Sequence, residues 1–469
     1  MAKDECLKIP QVKTINEIEL FVSQYNKGEK TFKSLQEEIS FLYDIGSFYA
    51  EYYQIKDPTR TIFRDEDKYY IGIYYYLKAI RLYEDNKYTL DNDTDFLLGI
   101  IRRLYVNIGN DFSNQFRSIS ALSYFRKALE IDNCFDMAIG NFALGIEHHS
   151  PLVGLPEDKY CMVFNLLNDL YHSINTDNLD SGHKFFMSKK LQYRKVQERY
   201  IRTMMWGTNA NYDPYAFFTE INIDSKVYED WCVKNTLYLN FINDLGNYEE
   251  AKFDIDVYGL NEQLKLTEAQ LYILNYLFEL YSFQRRKIFK CKEINNNLAL
   301  YELAQVFQNL YSYFDKVAFF IYKFFGLTGK ECSVSINTIW NMKDTDGNKL
   351  LDYKNQYLYN IYWLRKEYRE KTKDKKGNMN INELLSPDAQ DYSDIRNTIE
   401  HKQFSFRQIN GLLYLNPDLL YNKTVKLASV IRNMILSLVQ LVRIENKLID
   451  SKTHKRNFDL LYFEFEGFK

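Results

Sequence analysis

Hydrophobic positions recur at steps of three and four along most of the chain, a spacing that predicts helices nearly throughout. The clearest run lies between about 298 and 325, where Leu303, Val306, Leu310, Phe314, Val317, Ile321 and Phe324 share one face. A second helix is expected over about 355–372, with Leu358, Ile361 and Tyr362 inside, and a third over 386–402, with Tyr392, Ile395 and Ile399 in one stripe. A fourth, about 423–448, repeats Leu427, Val430, Met434, Leu438 and Leu441. Upstream, 269–291 reads as another long helix, 228–246 gathers Trp231, Leu237, Leu239, Phe241 and Leu245, and 173–183 reads as a polar loop. The N-terminal third carries a repeated device. Tyr105, Ile108, Gly109 and Phe112 are followed by Ala121, Phe125 and Ala128, and a further helix starts in the same phase at Ile139, Asn141, Phe142 and Ala143. Leu42, Ile45, Gly46 and Tyr49, then Gly72, Tyr76 and Ala79, form an earlier and longer-spaced version. Small residues let paired helices approach, and aromatics fill the gap between them. Only the tail alternates, with Leu461, Phe463 and Phe465 between Tyr462, Glu464 and Glu466, as an extended arm would.

The third helix has a marked start and carries candidate chemistry. Ser386 can cap it, Pro387 suits the first helical position, and Asp388 suits the positive end of the dipole. Beside its apolar stripe lie Arg396, Asn397, Glu400 and His401. An arginine can hold a phosphate through its planar fork, and a histidine can give or take a proton near neutral pH. Five residues of helix turn Arg396 and His401 about 140° apart. Arg396 therefore pairs more naturally with Glu400, and Asn397 with His401. A solvated helix face with an intrahelical ion pair reads the same residues without any catalysis.

Composition narrows the class. Across 469 residues, Gly 18 and Pro 7 are few, which favours long helices, while 46% hydrophobic and 16% aromatic content is ample for a large core. The length suits roughly two to four domains. A net charge of −3 announces no nucleic acid globally, so an RNA surface has to be a local patch. Six scattered cysteines without C-x-x-C suggest reduced thiols and a cytoplasmic protein. No signal core stands at the N-terminus, and no run of about 18 apolar residues is expected to span a membrane, 317–327 coming nearest. DNDTD at 91–95 and DTDGN at 344–348 fail the spacing of a calcium loop and read as turns. His148 and His149, beside Glu147, lack a second ligand cluster. Neither a phosphate-cradling G-x4-G-K-[ST] loop nor a G-x-S-x-G elbow occurs.

The R-N-T-I-E-H stretch, Arg396 to His401, resembles the R-x4-H motif of the HEPN superfamily, including the polar residue after the arginine. Four helices with the motif in the penultimate one fit that resemblance, and 228–246 resembles a segment of a bacterial, defence or toxin-type branch. The aromatic, glycine and alanine pattern of the N-terminal third resembles tetratricopeptide repeats, with Asn133 in place of the usual closing proline. The implied architecture is all-α: TPR-like repeats over 1–150, a helical middle region over 151–295 continuing the solenoid, a HEPN four-helix-type bundle over 296–450, and a tail over 451–469. The implied activity is metal-independent RNA cleavage by a homodimer joined through its HEPN domains. His401 would serve as general base or acid, Arg396 would hold the scissile phosphate, Asn397 would orient the histidine or the phosphate, and Glu400 would hold Arg396. No metal, no cofactor and no membrane is called for. Arg365, Lys366, Arg369, Lys371, Lys373, Lys375 and Lys376, with Lys402 beyond the motif, form a basic set that could track an RNA backbone; a solvated helix end frayed into a loop reads equally well. The repeats would bind a protein or peptide partner. The alternatives are an inactive dimerisation and interaction scaffold, and a HEPN partner of a nucleotidyltransferase silenced at a tyrosine such as Tyr392.

Overall fold

The computed structural model describes residues 14–56, 70–86, 95–114, 117–149, 166–174 except 168, 226–293 except 241, 246–251, 253 and 256, then 297–366 and 386–450. Among these residues the protein is all-α apart from one short two-stranded ladder. The N-terminal part consists of α1 (Ile15–Asn26), α2 (Leu35–Lys56), α3 (Tyr70–Asn86), α4 (Asp95–Asn114), α5 (Ser118–Ile131) and α6 (Asp136–His149). Helix α2 pairs with α3, α4 with α5, and α5 in turn with α6.

The two pairs share one packing register, for the reason the sequence suggested. A Cβ placed on Gly46 would come within 2.5 Å of the Tyr76 ring, and one on Gly109 would come within 2.7 Å of Phe125 Cδ1. Each glycine therefore seats an aromatic ring from the second helix of its pair. Gly72 goes further and meets backbone: its Cβ would lie 2.8 Å from the Gly46 carbonyl oxygen. Backbone cannot rotate aside, so Gly72→Ala is expected to force α2 and α3 apart. The cost is about 1–3 kcal/mol of overpacking, which exceeds the gain in helix propensity of about 1 kcal/mol. Gly99→Ala on α4, whose Cβ would meet nothing nearer than Arg103 at 4.0 Å, keeps that gain and is expected to raise the melting temperature. Thermal melts of the two variants check this contrast.

Asp44 on α2 is half-buried, and burial pushes its carboxyl up to about 6. A raised carboxyl favours the folded state only while it is protonated. Its contribution is present below about pH 4 and is lost as pH rises through about 6. Asp44→Asn is therefore expected to stabilise the protein by on the order of 1 kcal/mol at pH 7.5, after allowance for solvent screening, and hardly at all at pH 4. Denaturant titrations at both values measure it.

Downstream come α7 (Lys226–Lys234), α8 (Val257–Leu264), α9 (Glu268–Glu293), α10 (Asn297–Tyr311), α11 (Tyr313–Phe324), α12 (Gln356–Lys366), α13 (Ala389–His401) and α14 (Pro417–Asp450). Strands β1 (Phe404–Ser405) and β2 (Leu413–Tyr414) pair in parallel between α13 and α14. Helix α14 is the axis. Leu427, Ala428, Ile431, Met434, Ile435, Leu438, Leu441 and Val442 are fully buried, and α9, α10, α11 and α12 pack around it. By length and composition the span Pro417–Asn446 could cross a membrane, which the sequence reading missed; 83% of its apolar window is buried here, as in a core helix.

The helix boundaries differ from expectation in instructive ways. The run expected over 298–325 is interrupted at Ser312, whose hydroxyl donates back to the Asn309 carbonyl at 2.7 Å and whose ψ opens to −11°. Helix α14 starts earlier than expected, because the Asn416 side chain accepts the Asp418 and Leu419 amides ahead of Pro417. Helix α13 starts later: Ser386 accepts the Asp388 amide at 3.2 Å in a preceding turn, and Asp388 is the N-cap. DTDGN is a turn, with Asp344 accepting the amides of Asp346 and Asn348 and Gly347 at φ +85°. Residues 91–94, the loop at 175–183 and the tail from 451 lie outside the described residues, as do the side chains of Glu147, His148 and His149.

The second helices of the two N-terminal pairs, α3 and α5, face the C-terminal helices. Tyr70 of α3 meets Trp363 at 6.0 Å, Ser120 of α5 accepts from Asn433 at 3.4 Å, and Arg81 of α3 donates to the Pro387 carbonyl at 3.1 Å. The middle region is locked on by buried polar anchors. Arg432, with no exposed surface, donates to the Tyr238 carbonyl at 2.7 Å and pairs with Asp244 at 2.6 Å. Trp231 donates to the Tyr421 hydroxyl at 3.0 Å, and within the middle region itself Arg285 grips Asp254 with two contacts of 2.7 Å.

Candidate active site

Helix α13 holds the candidate residues between two fixed ends. Tyr392 and Ile395 are buried, at 1% and 3% exposure, and Ile399 packs against the core, so the opposite face is presented outward. At its start, Asp388 is buried among cations: Lys423 at 2.6 Å, Lys426, and Arg81 at 3.4 Å. Burial alone would push the Asp388 carboxyl up, but Lys426 and Lys423 override it and hold it well below the usual carboxylate range. Asp391, one turn on, meets Lys423 at 2.7 Å and Arg81 at 3.0 Å. Beyond its C-terminus, Phe404 and Phe406 pack on Tyr301 of α10, with ring centres 5.9 and 5.1 Å away.

Between these ends, Glu400 bridges the two residues that helix geometry separates. Arg396 Nε donates to Glu400 Oε1 at 3.1 Å, and His401 Nε2 lies 3.6 Å from Glu400 Oε2. The expected pairing of Arg396 with Glu400 is thus found. Asn397 instead donates to Ser393 at 3.4 Å, one turn back along the helix, because its side chain reaches toward the N-terminal turn. His401 is 68% exposed, Arg396 37% and Glu400 28%, so a guanidinium fork and an imidazole are both open to solvent beside one carboxylate. Such a set can bind an anionic group and exchange a proton next to it.

The basic set is only partly placed. Arg365 donates to Asn337 at 3.2 Å and lies over the Tyr362 and Trp340 rings, 4.4 and 5.4 Å from their centres. Lys402 is exposed directly after His401. The side chain of Lys366 and residues Arg369, Lys371, Lys373, Lys375 and Lys376 lie outside the described residues. Sequence reasoning missed Tyr311, whose ring lies 4.9 Å beneath the Arg396 guanidinium. Its signal was the aromatic pair Phe307 and Tyr311, four apart beside the main apolar stripe.

Residues 275–445 match the family model described as LA2681-like HEPN. The C-terminal helical domain is similar to the HEPN superfamily. The matched span begins inside α9, ends inside α14, and contains the whole of α13 with Arg396, Glu400 and His401. No curated protein and no solved structure matches the chain. Tyr392, the tyrosine considered for modification, stacks on Phe307 inside the C-terminal helical domain at 1% exposure, so reaching its hydroxyl requires opening the helix.

Proposed function

We propose that the protein is a metal-independent endoribonuclease acting through Arg396 and His401. The observation that carries the reading is the solvent-open Arg396–Glu400–His401 cluster within the HEPN-like span. A ribose 2′-hydroxyl attacks the adjacent phosphorus while a base takes its proton. The bond from phosphorus to the 5′-oxygen breaks, and an acid protonates that oxygen. The products are a 2′,3′-cyclic phosphate and a 5′-hydroxyl. His401 fills one proton-transfer role, and its copy in a second protomer of a homodimer fills the other. Arg396 binds the phosphate and stabilises its growing charge. Asn397 steadies the helix turn beneath them through Ser393, and Lys402 with the 365–376 basic stretch guides the RNA backbone. DNA lacks the nucleophile and is refractory. The repeats sense or bind a protein partner, and the biological role is that of a cytoplasmic toxin or anti-phage effector.

A second reading is an inactive dimerisation and interaction scaffold. It is favoured by the Arg396–Glu400 bond, which an ordinary solvated helix forms as well. Wild type and His401→Ala incubated with total RNA in chelator, with fragment ends mapped, separate the two. Cyclic-phosphate ends made by wild type alone support the nuclease. Equal cleavage by both proteins removes His401 from the reaction, and silence from both leaves two readings, a nuclease awaiting its trigger and the scaffold.

A further inference from the structure

The Arg396 guanidinium is held from two directions. Glu400 engages Nε at 3.1 Å, and Tyr311 meets the guanidinium twice, with its ring centre 4.9 Å from the central carbon and its hydroxyl within hydrogen-bond reach of the fork. Glu400 is a neighbour on the same helix, whereas Tyr311 is the last residue of α10. Its place is set by a ladder of rings. Tyr392 of α13 stacks on Phe307 at 6.3 Å and 18°, Phe307 stacks on Tyr311 at 6.4 Å and 26°, and Phe314 meets Tyr311 edge-on at 5.8 Å. Tyr392 and Phe307 are buried, whereas Tyr311 is half-buried. The ladder therefore starts in the core and ends at the surface, beneath the arginine.

A carboxylate on Nε alone leaves a long side chain free to swing about its own bonds. A ring face adds the missing restraint, since a guanidinium lies flat on it by cation–π and stacking attraction. With Nε engaged by Glu400, the terminal amino pair is the edge that remains for a phosphate, and its direction follows from the plane of the fork. We propose that Tyr311 is a positioning residue for Arg396, fixing the guanidinium plane so that the fork meets the RNA phosphate with two parallel hydrogen bonds. The proposal rests on the ribonuclease reading and adds a residue from outside the motif helix.

Three variants test it. Tyr311→Leu keeps apolar bulk but removes the ring, Tyr311→Phe restores the ring without the hydroxyl, and Arg396→Ala removes the group acted upon. Binding is read by fluorescence anisotropy on RNA with 2′-O-methyl riboses, which cannot be cut. Tyr311→Leu is expected to weaken binding about tenfold, Tyr311→Phe to recover the part of that loss due to the ring but not the part due to the hydroxyl, and Tyr311→Leu to add nothing once Arg396 is alanine. An equal loss in the Arg396→Ala background would mean that Tyr311 acts through packing and overturns the proposal. So would a Tyr311→Phe variant as weak as Tyr311→Leu. A readout independent of RNA is the Arg396 Nε–Hε resonance in arginine-labelled full-length protein. It should be ordered in wild type and Tyr311→Phe and mobile in Tyr311→Leu; an unchanged resonance overturns the proposal. If that resonance behaves as expected while wild type cuts no RNA, the positioning of Arg396 stands apart from the nuclease reading.

Discussion

His401→Ala is expected to lower the rate of RNA cleavage by about 10²–10⁴-fold, the range of a positioned general acid or base. The fold should hardly notice. His401 is 68% exposed at the last turn of α13, so its removal opens no cavity, and its ion contact is with a carboxylate already bonded to Arg396. The melting temperature should stay within about 1 °C of wild type, since surface substitutions usually stay within ±0.5 kcal/mol. Arg396→Lys is the informative companion. It keeps the charge but loses the planar fork and its contact with the Tyr311 ring, so it should recover little of the activity lost in Arg396→Ala. Glu400→Gln keeps the shape of the bridge and removes its charge. It should affect cleavage less than either substitution, because Glu400 holds Arg396 and exchanges no proton itself. Full activity in His401→Ala, with its fold intact, would leave the histidine as an ordinary polar residue at a helix end.

The helical class was legible because the periodicity was long and consistent. Leu427, Met434, Leu438 and Leu441 all lie in the core where the pattern put them, and Gly46, Gly109, Tyr76 and Phe125 meet as the spacing of small and large residues implied. Local chemistry alone left Arg396 to His401 readable as an ordinary solvated helix face, and only the resemblance singled the stretch out; the Arg396–Glu400 pair followed from the i,i+4 rule. What failed was decided by single side-chain bonds that compete with the helix. Ser312 bonds back to Asn309 and splits one expected helix in two, while Asn416 caps α14 early. Contacts between segments distant in sequence were not legible at all. Nothing about Arg81 or Lys423 taken alone says that both close on the start of the motif helix, because that depends on how α3 and α14 pack against α13. Tyr311 was hidden for the same reason.

That distant cluster carries the other large expected effect. Asp388→Asn should destabilise the protein by about 3 kcal/mol, the low end of the cost of breaking a buried ion pair by removing one partner. Asp388 is 6% exposed and Lys423 10%, so the ammonium left behind has little water to turn to and keeps only Asp391 at 2.7 Å, which holds the cost at that low end; Lys426, at 43%, is better solvated and contributes less to the penalty. Asp85→Asn provides the contrast. Asp85 meets the same Arg81 at 3.6 Å but is 64% exposed, and its loss should cost under about 0.5 kcal/mol. The pH dependence has a definite sign. Because the folded carboxyl of Asp388 is depressed, its stabilisation is complete above the unfolded value of about 4 and is lost as pH falls toward the folded one. The stability gap between wild type and Asp388→Asn should therefore be constant from pH 5 to 8 and narrow below pH 4. The cluster also joins two parts of the chain. Arg81 arrives from α3 of the N-terminal helices and holds Asp388, Asp391 and the Pro387 carbonyl, all at the start of the helix that ends in His401. Arg81→Ala should accordingly raise hydrogen exchange in the first turns of α13 as well as in α3. Exchange that rises in α3 alone would show that α13 is held by α14 and that the N-terminal helices exert no grip on it.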